Sequence, residues 1–334
     1  MSKAKLILAG IVILFFAAGL AAWQYMADYA VSPADRSGEN QVVMVPAGAG
    51  VNVVSGMLAR RGIIDHALKF KLLFFLKDRR ARIKTGEYSL SAAMSPLEIM
   101  GILVRGDVLL HKVTVPEGLN IKQIARQVEQ SGLAGGDDFL GAATNPDFIA
   151  TLGIKAGTAE GYLFPETYFF PSSVTAQKII KAMTDRFWTV FSEEWRRRAK
   201  ELGFSVHEIV TLASIIEKET AIPAERPLIA SVFHNRLKRG MRLESDPTVI
   251  YGIPEFDGNI TRAHLNAKTP YNTYRIKGLP PGPIANPGRA ALAAALYPAD
   301  TAYLYFVSTG RGGHYFSTRF ADHNRAVRKY QLHR

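Results

Sequence analysis

The sequence contains no cysteine among its 334 residues. This absence excludes disulfide bonds, thiolate zinc sites, iron–sulfur clusters, cysteine nucleophiles and lipid attachment through an N-terminal cysteine. Stability must therefore come from hydrophobic cores, and 48% of the residues are hydrophobic. At roughly 150 residues per domain, the length predicts about two domains.

Several catalytic motifs are missing as well. His207 does not begin an H-E-x-x-H zinc motif, because Thr211 stands where the second histidine should be. No G-x-S-x-G elbow is present, and the only S-x-x-K sequence, from Ser2 to Lys5, precedes the long apolar run. The glycines form neither a phosphate-binding loop nor a dinucleotide fingerprint. A zinc hydrolase, serine acyl transfer and a nucleotide cofactor are therefore not indicated.

Residues 6–23 form an apolar run of 18 residues without a charged side chain, preceded by Lys3 and Lys5. Such a run is long enough to cross a bilayer, and lysines before a span keep a short N-terminus in the cytoplasm. We predict that residues 1–29 are a cytoplasmic tip and a transmembrane anchor, with the rest of the chain outside. A signal peptide cut after Ala27 or Ala30 is the alternative.

The chain is basic, since 41 Lys and Arg against 29 Asp and Glu leave a net charge of +12. Such a charge suits nucleic acid, anionic lipid or an acidic polymer outside the membrane. Nucleic acid is not expected at that location, and the basic residues are scattered in small groups. A solvated positive surface explains the charge about as well as an acidic partner does.

A weak repeat follows a polar linker at residues 30–40. Two segments 70 residues apart share a valine, a Pro-x-Gly turn, a helical apolar spacing and a terminal glycine. The matched pairs are Val45/Val115, Pro46/Pro116, Gly48/Gly118 and Gly62/Gly132. Each copy predicts a strand, a turn, a helix and a glycine cap. A structural adaptor module is the favoured interpretation of this repeat.

Three later segments could bind a sugar or serve the core. Five aromatic residues lie within residues 162–170, where filling a core is commoner than stacking on a sugar. Asp246 precedes a proline and fits the N-cap of a short helix. Residues 278–288 hold four Pro and three Gly, so they predict a stiff loop that either presents Tyr271, Asn272 and Tyr274 or crosses the core.

One glutamate lies on the apolar stripe of a helix that begins at Val206. At about 100° per residue, Val210 and Ala213 share the face of Glu217, whereas Glu219 lies on the other side. An aliphatic environment would raise the pKa of Glu217 and let it hold a proton, as a general acid must. The alternative is that this carboxylate reaches water or pairs with an arginine. A long charged helix is predicted before it, at residues 174–202.

Six ordered motifs in the chain resemble those of the endolytic murein transglycosylases, the YceG-like family. They are E-G-Y-L-F-P-E-T-Y at 160–168, A-S-I-I-E-K-E at 213–219, S-D-P-T-V-I-Y-G at 245–252, P-Y-N-T-Y at 270–274, G-L-P-P-G-P-I-A-N-P-G at 278–288, and L-Y-F-V at 304–307 with His314. The resemblance covers nearly the whole chain.

The resemblance implies an α+β protein with an N-terminal transmembrane helix and two further parts. A small LysM-like βα module would occupy residues 41–110. A larger catalytic domain would occupy residues 111–334, with the second βα copy at 111–155. The implied location is the inner membrane, crossed once, with the N-terminus in the cytoplasm and the catalytic domain in the periplasm.

The implied activity is internal cleavage of peptidoglycan glycan strands, which leaves 1,6-anhydro-N-acetylmuramic acid ends and terminates strand elongation. The family's catalytic acid and base is the first Glu of I-E-K-E, which corresponds to Glu217. Glycan strands are the implied partner, with peptidoglycan synthases as further candidates. The substrate-binding candidates are Asp246, Thr248, Tyr271, Asn272, Tyr274, Tyr162 and Asn235.

A single carboxyl group suits this reaction. Glycoside hydrolases usually need two carboxylates about 5 to 9 Å apart. In the implied reaction the C6 hydroxyl of muramic acid replaces water, and one group can protonate and then deprotonate. This reaction needs no metal ion and no cofactor. Two alternatives stay open, namely a muramidase that uses water and a non-catalytic scaffold that tethers wall polymer to the membrane.

Overall fold

The computed structural model describes residues 3–78, 80–254 and 256–332. The chain divides into two compact units after His111, and the first unit also includes Pro171–Ser173. In its described residues the first unit contains α1 (Lys3–Val31), β1 (Asn40–Val45), α2 (Val51–Arg60), α3 (Ala67–Lys77), β2 (Gly86–Ser91) and α4 (Pro96–Arg105).

The second unit begins within β3. Its described residues contain β3 (Leu110–Thr114), α5 (Ile121–Gln130), α6 (Gly136–Ala143), α7 (Pro146–Thr151), β4 (Thr167–Pro171), α8 (Ala176–Val190), α9 (Glu193–Glu201), α10 (Val206–Glu219), a 3-10 turn (Pro223–Glu225), α11 (Arg226–Lys238), α12 (Asp246–Tyr251), α13 (Arg262–Asn266), α14 (Arg289–Leu296), β5 (Tyr305–Ser308), β6 (His314–Ser317), α15 (Phe320–Val327) and a π-helical turn (Arg328–Leu332).

The first unit folds around a two-stranded antiparallel sheet. β1 and β2 pair from Asn40 opposite Ser91 to Val45 opposite Gly86. The sheet packs one face against helices, and its core is apolar throughout. This core consists of Val43, Val45, Val54, Leu58, Ile63, Ile64, Phe70, Tyr88, Leu90, Ile99 and Leu103. The LysM-like character of this module stays a prediction.

Helix α1 is long and apolar enough to cross a membrane. It runs two residues past the predicted end of the anchor. The linker that follows is held against the sheet, because the backbone N–H of Asp35 donates to the carbonyl of Ala92 and the Ser91 hydroxyl donates to the carbonyl of Gly38. The linker is therefore a bound segment rather than a free spacer.

Both copies of the repeat form the predicted strand, turn and helix. Gly48 and Gly118 have φ angles of 74° and 78°, and Gly62 and Gly132 have 69° and 71°. These left-handed conformations favour glycine, which explains why these residues match between the copies. The strands pair differently, since β1 pairs with β2 whereas β3 pairs with β4.

Helix α10 lies at the centre of the second unit. Ser205 caps it through a capping box with Glu208, and every residue from Ile209 to Ile216 is buried. The helix packs against α14, α11 and α12. Strands β5 and β6 pair as an antiparallel hairpin, and the mixed α+β fold with an apolar N-terminal helix is confirmed.

Candidate active site

Glu217 occupies the last turn of α10, where the buried stripe of the helix meets the surface. Its side chain is 5% exposed, and Val210 and Ala213 on the same face are fully buried. The helical spacing therefore predicted the burial of this glutamate correctly. The helix ends two residues later, at Glu219.

The polar partners of Glu217 correct the expectation of a purely aliphatic environment. Arg226 donates from Nη2 to Glu217 Oε1 at 2.9 Å, and the backbone N–H of Gly288 donates to Oε2 at 2.9 Å. Arg226 is the first residue of α11 and is itself buried. Both oxygens of the Glu217 carboxylate thus accept hydrogen bonds from residues outside α10. The helical spacing could not predict these donors.

A second carboxylate shares the same arginine. Arg226 Nη2 lies 3.8 Å from Glu117 Oε2, and the Glu117 side chain is 48% exposed. Burial, followed by the charge of Glu217, raises the pKa of Glu117, while Arg226 opposes this effect. Glu117 belongs to the Pro-x-Gly turn of the second βα copy, which brings it to the end of α10.

Gly288 lets Glu117 approach. A Cβ on this residue would lie 1.7 Å from Glu117 Oε1. One backbone position therefore donates to Glu217 and leaves room for Glu117. We call Glu117, Glu217, Arg226 and Gly288 the acidic cluster.

The stiff loop at residues 278–288 positions Gly288. It crosses α10, because the Pro281 carbonyl contacts His207 Nε2 at 3.0 Å and the Ile284 N–H donates to Ser214 Oγ at 3.0 Å. The Asn286 amide bonds to the carbonyl of Leu119. The crossing interpretation of this loop is thus supported, and its C-terminal end supplies the donor to Glu217.

Glu219 lies in a different environment from Glu217, as the helical spacing predicted. The Ser245 hydroxyl donates to its carboxylate, and burial raises the pKa of Glu219 to about 7. Nearby, the Tyr274 hydroxyl donates to Asp246 at 2.7 Å. Glu219, Asp246 and Tyr274 line a cavity of about 430 Å³, with His314 on its wall. Asp246 and Tyr274 are the predicted residues that face this cavity.

Glu160 is a third buried carboxylate, and it serves the fold. It accepts hydrogen bonds from the Ile121 N–H, the Tyr251 hydroxyl and the Asn286 amide at 2.9 to 3.1 Å. Burial raises its pKa to about 7. These partners join the start of α5, the end of α12 and the crossing loop.

Several predicted substrate-binding residues have their polar groups satisfied inside the protein. Asn272 is fully buried and donates to the carbonyls of His264, Leu265 and Ala267. Asn235 donates to the carbonyls of Thr301 and Tyr303. These two amides tie loops to helices, and they offer little polar surface to a sugar.

The remaining candidates divide between core and surface. Thr248 is fully buried and bonds to Ser245 and Thr273. Tyr162 is buried, with its hydroxyl 3.1 Å from His207 Nδ1, in agreement with the core interpretation of the aromatic segment. Tyr271 is only partly buried and packs on Tyr251, with ring centroids 4.8 Å apart.

Sequence reasoning missed Glu117, Arg226 and Gly288. Glu117 lay inside a recognised turn, but nothing local showed that this turn meets α10. Among the described residues, no group of three or more His, Asp or Glu side chains is arranged to hold a metal ion.

Comparison with known proteins identifies the family. The YceG-like family profile matches residues 43–329. A protein of Bacillus subtilis (strain 168) named endolytic murein transglycosylase is 33% identical over 321 residues, covering 90% of this chain and 88% of that protein. A protein of the same name from Streptococcus pneumoniae serotype 2 (strain D39) is 31% identical over 353 residues; the match covers 95% of this chain and 63% of that protein.

A solved structure gives the same result. The crystal structure of a YceG-like protein from Listeria monocytogenes matches with a TM-score of 0.60 and 34% identity, covering 86% of this chain and 98% of that one. The profile match spans both βα copies, the acidic cluster and the β5–β6 hairpin. The chain therefore belongs to the YceG-like family.

Proposed function

We propose that this protein is a peptidoglycan lytic transglycosylase that cuts within nascent glycan strands. It breaks the β-1,4 bond between N-acetylmuramic acid and N-acetylglucosamine, leaves 1,6-anhydro ends and so terminates strand elongation. The observation that carries the proposal is the family membership, with relatives named for this activity over most of the chain. A fixed carboxylate at the motif position supports it.

Glu217 is the proposed acid and base. It gives a proton to the glycosidic oxygen as the bond from that oxygen to C1 of the muramic acid breaks. The C6 hydroxyl of the same sugar then bonds to C1, and its proton passes to Glu217. The residue is thereby restored, and no water is consumed.

The acidic cluster supplies the position and the proton. Arg226 and the Gly288 N–H hold both oxygens of Glu217, so the carboxyl group meets the substrate in one orientation. Arg226 compensates one negative charge, whereas Glu117 and Glu217 carry two when both are ionised. Like charges at one site disfavour double ionisation. Burial and the charge of Glu217 raise the pKa of Glu117, and we infer that Glu117 carries a proton beside Glu217 before substrate arrives.

The apolar helix α1 supports a single-pass anchor in the cytoplasmic membrane. Lys3 and Lys5 precede the span and favour a cytoplasmic N-terminus. The catalytic unit would then lie on the outer side, where peptidoglycan is assembled. A LysM-like role for residues 41–110 and contact with peptidoglycan synthases are predictions of the same proposal.

Product analysis tests the proposal directly. The purified full chain, Glu217→Gln and Glu208→Gln are each incubated with uncrosslinked glycan strands, and products are identified by mass spectrometry. Glu208 is a matched control on the same helix, because Gln also completes a capping box. We expect anhydro ends from the wild type and Glu208→Gln, and none from Glu217→Gln, which still binds strands.

Three outcomes would contradict this proposal. Full activity in Glu217→Gln would remove Glu217 from the chemistry. Products heavier by one water, roughly 18 Da, would indicate the muramidase alternative, in which water attacks C1. Binding of strands by the wild type without any shortening would favour the non-catalytic scaffold.

A further inference from the structure

Helix α3 exposes large apolar side chains on the face that points away from the core. These side chains are Leu68, Leu72, Phe75 and Leu76, and they are 44% to 66% exposed. At about 100° per residue they fall within an arc of about 100° around the helix. The opposite face carries Phe70, Leu73 and Phe74, which are buried. The helix is therefore apolar on two sides, and only one of them is covered by the first unit.

Basic residues border the exposed apolar arc. By the same count Lys69 lies at one edge of the arc and Lys71 beyond the other. Residues 65–84 contain seven Lys and Arg against two Asp. An apolar stripe between cationic side chains is the pattern of a helix that lies in the interface of an anionic membrane.

Contacts with α1 fix the position of this helix along the anchor. Lys69 Nζ lies 5.0 Å from the ring centre of Tyr25 and 5.4 Å from that of Tyr29. Leu73 packs with Tyr29 in a small apolar cluster. Leu76 and Trp23 line one cavity of about 260 Å³.

Trp23 ends the charge-free run of α1, and Tyr25 follows it. Tryptophan and tyrosine at the end of a transmembrane helix mark the level of the lipid headgroups. Because Leu76 and Trp23 line the same cavity and Lys69 lies over the ring of Tyr25, α3 lies beside the headgroup level of the membrane that α1 crosses.

We propose that the exposed face of α3 docks on the outer surface of the anionic bilayer that holds α1. The apolar arc enters the boundary between headgroups and acyl chains. Lys71 beside the arc and Lys77, which lines the cavity next to Trp23, bind lipid phosphates. This inference rests on the proposed anchor. Its consequence is that the first unit is fixed to the membrane at two places rather than tethered at one.

The absence of cysteine allows one label to report the depth of each site. The full chain is reconstituted in nanodiscs with Leu72→Cys, Leu110→Cys or Leu14→Cys carrying an environment-sensitive nitrobenzoxadiazole dye, and quenching by brominated lipid is measured. Leu14 lies within α1 and reports the bilayer interior. Leu110 is a leucine of similar exposure, 50% against 46% for Leu72.

Leu110 is a suitable aqueous reference within the first unit. The adjacent N–H of Leu109 donates to Glu87, near one end of β2, whereas Ala92 beside the other end binds the segment after α1. Several residues of extended strand thus separate Leu110 from the end of the anchor.

In nanodiscs with phosphatidylglycerol, we expect several-fold stronger quenching at position 72 than at position 110, together with a blue-shifted emission. Quenching at 72 should weaken in purely zwitterionic nanodiscs. Lys71→Gln with Lys77→Gln should weaken it too, whereas the control pair Lys178→Gln with Lys200→Gln, exposed lysines of the second unit, should not.

Equal quenching at positions 72 and 110 in both lipids would overturn the proposal. Shielding of position 72 that needs an added protein would also overturn it and would indicate a protein partner. Absence of quenching at position 14 would show instead that α1 is not inserted, which is a failure of the proposed anchor and is separate from these results.

Discussion

At the scale of single residues, the acidic cluster is built from parts of the chain that are far apart in sequence. Glu117, Glu217 and Gly288 come from a turn, the end of a helix and the end of a loop. Only Glu217 has a local signature, because burial on a helix follows a 3.6-residue period. The partners that bind its carboxylate come from tertiary contacts, which a helical period does not encode.

The close approach of Glu117 to Gly288 leads to a prediction about both residues. Gly288→Ala would place a methyl group against the flexible end of Glu117, so the carboxylate should move away while the fold is kept. We expect the melting temperature to change little and strand cleavage to fall by about 10- to 100-fold, since small misplacements at a reacting centre have effects of that order. Glu117→Gln should give a similar loss.

A double-mutant cycle checks this interpretation. If Gly288→Ala acts by displacing Glu117, then adding it to Glu117→Gln should cause little further loss in cleavage rate. Gly282→Ala, on the same loop, is the control and should keep activity. Additive losses would mean that Gly288 acts only through its hydrogen bond to Glu217.

Glu219 should make stability depend on pH. Burial raises the pKa of Glu219 from 4.5, its ordinary value in an unfolded chain, to about 7. The folded protein therefore binds a proton that the unfolded chain releases, and stability falls as the pH rises from about 4.5 through 7, by up to about 1.4 kcal/mol per pH unit.

Glu219→Gln keeps an acceptor for Ser245 and removes this titration. Thermal unfolding of the full chain between pH 5 and pH 8 should therefore show a smaller loss of stability in the variant than in the wild type. Glu208→Gln serves as the control with an unchanged slope. Parallel pH dependence in all three proteins would show that Glu219 does not titrate in this range.

At the scale of helices and strands, the sequence predicted the elements that are marked by a few neighbouring residues. The glycines of both βα copies mark real turns and helix ends. The predicted long helix at 174–202 is wrong, because it is broken between α8 and α9. Ser192 caps α9 by accepting from the Trp195 N–H, and the buried ring of Phe191 stacks on Phe187.

The break shows how tertiary packing overrides a period. The amphipathic pattern continues across Phe191, so spacing alone predicts one helix. Serine favours the N-cap of a helix because its hydroxyl accepts a hydrogen bond from a backbone N–H of the first turn. The change in chain direction after α8 also allows the Phe191 side chain to be buried, which stabilises the break. For the stiff loop at 278–288 the local prediction was correct, because its prolines indicate rigidity. They could not indicate that the loop crosses α10, which is a tertiary contact.

At the scale of the whole molecule, the +12 charge separates two interpretations that composition alone leaves open. If the positive surface attracts the carboxylates of peptide stems, then binding of glycan strands by Glu217→Gln should weaken as salt rises from 0.1 to 1 M, because the screening length shrinks from about 10 to about 3 Å. Strands with amidated stems are the control and should bind with little dependence on salt. Binding would be measured by co-sedimentation of full chain in nanodiscs of zwitterionic lipid, so that anionic lipid does not compete. Equal salt dependence for both kinds of strand would mean that the charge serves solubility, or the bilayer surface beside α3, rather than the polymer.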